Sequence, residues 1–141
     1  MMLLVAMAAT SGCGGGRSGG GRTSANSGIE AICARHNHAI AALAGHAVES
    51  EGGLRSVQRQ RAVIEQAALG ELQRLTPGAP LRSIWPSFLA DRRTLIGAVL
   101  AYSQHPLDSR SVEEANVAAH AQAKMLAAAG RVHLKECARA G

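Results

Sequence analysis

The sequence predicts an all-α protein: an up-down antiparallel four-helix bundle behind a disordered, glycine-rich amino-terminal tether. Three observations carry that prediction. Alanine dominates the apolar fraction and β-branched residues are sparse, which favours helix over strand. Four segments carry apolar residues at alternating spacings of three and four, one face of a helix. Between them stand clusters of proline, glycine and charge. Connections that short make consecutive helices antiparallel neighbours.

The first helix is expected over residues 28–48. Ser27 reads as its N-cap, with Glu30 three residues on as the reciprocal partner. Ile29, Cys33, His36 or Asn37, Ile40, Leu43 and Ala47 form the inner face. The second helix is expected over 53–75, after charge and the paired Gly52 and Gly53. Val57, Ile64, Ala68, Leu72 and Leu75 face inward; Arg55, Arg59 and Gln66 face out. Arg61, four residues before Glu65, reads as half of a surface ion pair. Pro77, Gly78 and Pro80 then end the helix.

The third helix is expected over 81–104. Pro86 is best tolerated in a first turn, so regular helix should begin near Ser83 or Trp85. Leu81, Trp85, Phe88 or Leu89, Leu95 or Ile96, Val99 and Tyr102 make its buried stripe, with Arg92 and Arg93 near the edge. It carries all three aromatic residues and should fill the widest part of the core. The fourth helix is expected to begin at Ser111, which with Glu114 forms a capping box. Val112, Ala115, Ala119, Gln122 or Ala123, Leu126 and Ala129 mark its inner face. Gly130 reads as a left-handed stop. A short tail carrying Cys137 follows.

Ahead of the bundle, residues 1–9 are apolar and uncharged. The run is too short for a membrane span, which needs roughly 20 apolar residues. It matches the apolar core of a signal peptide covering residues 1–12. Thr10, Ser11, Gly12 and Cys13 resemble the lipobox of bacterial lipoproteins. Ser11, Gly12 and Cys13 match it, and Thr10 stands where leucine is usual. That resemblance implies a multiply acylated Cys13, with palmitate-type chains. Residues 13–27 would then be a flexible tether, since so many glycines cannot bury enough surface to offset their ordering entropy.

With 15 basic and 10 acidic residues the chain is mildly cationic. Arg17 and Arg22 lie in the tether, so residues 28–141 carry little excess charge. Nucleic-acid binding asks for a clustered basic stripe, often with aromatics to stack on; the expected partners include no nucleic acid. Neither a catalytic triad nor a phosphate-cradling loop is visible, and the glycine run precedes no strand–helix unit. The chain is expected not to be an enzyme and to need no cofactor.

Cys33 lies near the start of the first helix and Cys137 near the carboxyl-terminus. In an up-down bundle these positions share a pole, so the two thiols are placed to bond outside the reducing cytoplasm. With Cys13 given to lipid, the three cysteines are one anchor and one bridge. A rival uses the same residues: Cys33, His36, His133 and Cys137 could form a tetrahedral zinc site in a small cytosolic metal-binding protein. Buried free cysteines and surface histidines are the third alternative. His36, Asn37 and His38 spell a nuclease-like HNH, but no strand pair accompanies them. Asn37 is placed to hydrogen-bond within the bundle. His46, His105 and His120 read as surface residues.

Residues 31–35 (AICAR) followed by Asn37, the linker Leu75, Thr76 and Pro77, and the closing Glu136, Cys137 and Ala138 resemble a group of uncharacterised exported bacterial lipoproteins of actinobacterial type. The resemblance implies an anchored helical domain on the extracytoplasmic face of the cell membrane, bridged between Cys33 and Cys137. It implies no activity. The expected role is a binding or scaffolding module, with an envelope protein or a small ligand as partner.

Overall fold

The computed structural model describes residues 20–44 and 50–139, with side chains from residue 26 onward. The expectations for the signal segment, Cys13, His46 and Ala47 lie outside these residues. The protein is an all-α bundle, with no strand among the described residues. Its elements are α1 (Gly20–Ala44), α2 (Glu51–Gln73), the short α3 (Ala79–Arg82), α4 (Trp85–Gln104) and α5 (Arg110–Arg131). None of the described helices is long and apolar enough to cross a membrane.

Local chemistry explains most of the boundaries. Ser50 caps α2, its Oγ accepting from the Gly53 backbone N–H at 3.1 Å. Gly52 and Gly53, read from sequence as breakers, therefore lie inside the first turn. The expected third helix is divided into α3 and α4, with Pro80 and Pro86 each in a first turn. Ser111 does not cap α5. It is buried inside the first turn, and Asp108 takes the capping role by accepting from the Arg110 backbone N–H and the Ser109 hydroxyl.

Two further corrections concern helix ends. Gly130 is helical, and the left-handed residue is His133, at φ 60°. His133 N–H donates to Gly130 and Leu134 N–H to Ala129, which together form a Schellman closure one turn later than expected. At the other end of the chain, α1 begins at Gly20, so Ser27 lies within it and does not cap it. Within it Gly28 packs against Leu75, and Asn26 approaches Gly78 at the turn after α2.

The helices pack in sequence: α1 on α2, α2 on α4 and α4 on α5. Cross-helix partners show that α1 and α2, and α2 and α4, run antiparallel. Gly28 meets Leu75 while His36 meets Glu71; Glu65 meets Arg92, and Arg61 and Val99 line one cleft. Among the described residues α1 and α5 do not pack directly on each other. Residues 132–139 bridge them, with Leu134 and Cys137 buried in the core.

α4 is the central helix and buries nine side chains. Trp85 and Phe88 stack with ring centroids 5.5 Å apart, in line with the aromatic residues filling the core. The face of α5 is rotated from the expected one. Ala129 is buried as expected, but its buried companions are Ser111, Ala121, Met125 and Ala128, and Val112 is 63% exposed. In so alanine-rich a helix, stripes one residue apart bury similar area, and Met125 decides between them.

Candidate functional site

Polar and charged side chains converge where the carboxyl-terminal tail meets α1. Cys33 and Cys137 are joined as a disulfide, with Cα atoms 5.0 Å apart across a sequence separation of 104. Both cysteines are buried. Beside them the Glu30 carboxylate accepts three successive backbone N–H groups, from Lys135 (2.5 Å), Glu136 (2.7 Å) and Cys137 (3.3 Å). Asn37 Nδ2 donates to the Glu136 carbonyl at 2.7 Å. The tail is thus tied to α1 by one covalent bond and four hydrogen bonds. The inward role expected for Asn37 is observed, whereas Glu30 serves the tail and not a cap at Ser27.

One turn along α1, His36 is buried and its Nε2 lies 3.3 Å from Glu71 Oε1. Arg35 hydrogen-bonds the other carboxylate oxygen. That bond, and after it the His36 contact, holds the Glu71 carboxyl below its usual value. The structure does not bring the four residues of the zinc alternative together as ligands. The two sulfurs are bonded to each other, His36 faces Glu71, and His133 is exposed in its left-handed turn. Among the described residues no group of three or more potential ligands is arranged to hold a metal ion.

Deeper in the bundle, Glu65 on α2 and Arg92 on α4 form a buried ion pair at 2.7 Å. Neither is the surface or edge residue expected from sequence. Arg61 is not the partner of Glu65; its guanidinium donates to Gln122 on α5 at 3.2 Å. The Nε–H groups of Arg61 and Arg92 are buried without an acceptor. Both arginines border a narrow crevice of about 20 Å³ that reaches the disulfide.

Of the larger hollows on the surface, two involve α2. Between α2, α4 and α5 lies a cleft of about 190 Å³, to which Arg61, Gln122, Val99 and Tyr102 contribute. Between the end of α1 and the start of α2 lies an open groove of about 500 Å³, lined by Leu43, Val63 and Ile64 with Arg55 and Arg59. Arg55 is paired there with Glu51 at 2.9 Å.

No protein-family model matches the chain, and no curated protein or solved structure shows significant similarity to it. What can be said of the site therefore comes from its own chemistry. The polar groups nearest the disulfide are engaged in holding the fold: Glu30 on backbone amides, Glu65 on Arg92, His36 on Glu71. Arg61 differs, with a neutral partner and a spare donor. Sequence reasoning missed Glu65 and Arg92 as a buried pair. The available signal was that each sits three residues from an apolar position of its own stripe, Ala68 and Leu89.

Proposed function

We propose that the chain is a membrane-anchored, extracytoplasmic helical lipoprotein that acts as a binding or scaffolding module and not as a catalyst. Acylated Cys13 would hold it to the bilayer, and the glycine-rich residues that follow would space the bundle from the surface. More than one acyl chain is needed for stable attachment, which multiple acylation of Cys13 would provide.

The observation that carries the compartment is the Cys33–Cys137 disulfide, which closes nearly the whole bundle and persists only where thiols are oxidised. It leaves Cys13 as the one cysteine available for lipid. The non-catalytic half of the reading is supported by the spending of Glu30, Glu65 and His36 on structural contacts. The test is fractionation of cells expressing the chain and its Cys13→Ala variant. The parent should sediment with membranes and partition into detergent, and the variant should not. Equal recovery of both in the soluble fraction would overturn the anchoring.

A further inference from the structure

We propose that the cleft between α2, α4 and α5 binds a small monocarboxylic acid with a short apolar body, its carboxylate held by Arg61. The argument begins with charge. Arg61 is half-buried, and among the described residues it has no carboxylate partner. Nearby Arg92 is neutralised by Glu65. Arg61, which lines the cleft, therefore brings to it a positive charge that no carboxylate among the described residues neutralises.

Hydrogen bonding points the same way. Arg61 spends one Nη on the Gln122 side-chain oxygen, and its Nε–H is buried without an acceptor. Gln122, accepting through its oxygen, keeps its amide N–H groups for donation. The side chains of Arg61 on α2 and Gln122 on α5 thus line one cleft. A carboxylate accepts from both and balances the guanidinium charge, a combination that a neutral ligand lacks.

The remaining wall selects the body. Val99, Ala115, Ala118 and Ala119 add small apolar surfaces to the lining, which Gln58 and Tyr102 complete. At about 190 Å³ the cleft has room for about six waters at liquid density. That falls below the sites of drug-sized ligands, which run from about 300 Å³. A long acyl chain or a nucleotide does not fit; a short-chain acid does. An inorganic anion would leave the apolar wall unused.

This inference deepens the binding-module reading and rests on it for its biological role, but not on the anchor. The titration below can fail while Cys13 proves acylated, and the reverse. The experiment titrates the full, oxidised chain with sodium butyrate, and separately with butyramide and sodium chloride, following amide resonances by NMR. Butyrate should shift residues lining the cleft and saturate with a Kd on the order of 1–10 mM. Butyramide should bind at least roughly tenfold more weakly, and chloride should not reproduce the shifts. Arg61→Gln should lose binding by roughly tenfold or more while circular dichroism shows the helical fold retained. Ala119→Leu, at an exposed position, should block the cleft without unfolding the chain. Equal binding of acid and amide, shifts reproduced by chloride, no saturation by butyrate, or full affinity in Arg61→Gln would each overturn the proposal.

Discussion

Replacing Cys137 by serine should cost most of the stability of the domain, and the size of that cost can be worked out from the topology. The bridge spans a sequence separation of 104. In the chain-entropy model, closing a loop of that length removes about 4.7 kcal/mol of freedom from the unfolded ensemble. The folded state should lose little else, because Glu30 and Asn37 still hold the tail backbone. Cys33→Ser should therefore destabilise as much as Cys137→Ser, and the double variant no more than either. Taking about 4 °C per kcal/mol for a domain near this size, each should melt roughly 15–20 °C lower. In urea the midpoint should fall and the m-value should rise, because the unlinked chain exposes more surface. The assay is equilibrium unfolding of the parent with and without reductant, beside the three variants. Additive losses, or losses under about 1 kcal/mol, would refute the reasoning.

The other predictions concern polar contacts and one backbone position. Arg92→Met should cost about 3–5 kcal/mol in urea melts by stranding buried Glu65, while joint replacement of both residues by Met and Leu should recover most of it. His133→Gly should stabilise by about 1 kcal/mol, because glycine takes the left-handed conformation without steric penalty. Glu71 has its folded-state pKa depressed by Arg35 and then His36, so its contribution is complete above the ordinary value of 4.5 and is lost as pH falls through the folded value. Thermal melts of Glu71→Gln between pH 6 and 3 should accordingly show a flatter acid limb than the parent, and parallel curves would count against the pairing.

The parts of the fold legible in the sequence were those where one residue type has one use. Pro86 had to lie in a first turn, and it does. Cys33 and Cys137 were placed at one pole by connectivity alone, and Asn37 was placed to bond nearby. The misread parts were those where local chemistry offers two equivalent partners. Ser27 with Glu30, and Ser111 with Glu114, have capping-box spacing, yet Glu30 is taken by three tail amides and Ser111 by burial. Arg61 and Glu65 are four apart on one helix, a spacing that permits a pair but does not forbid better partners on neighbouring helices. On α5 the apolar contrast was too small to choose a face. The cleft at Arg61 was beyond sequence reasoning for the same reason: three helices must be docked before Arg61, Val99 and Gln122 share a wall.

We propose that this chain is exported, cut before Cys13, acylated there and bridged within its bundle. One measurement addresses it most directly: intact mass, with and without reductant, of the protein extracted from its native membrane. The account predicts an amino-terminus at Cys13 carrying acyl mass, and alkylation of Cys33 and Cys137 only after reduction. A chain retaining Met1, recovered from the cytosol with both bundle thiols free to alkylate, would contradict it.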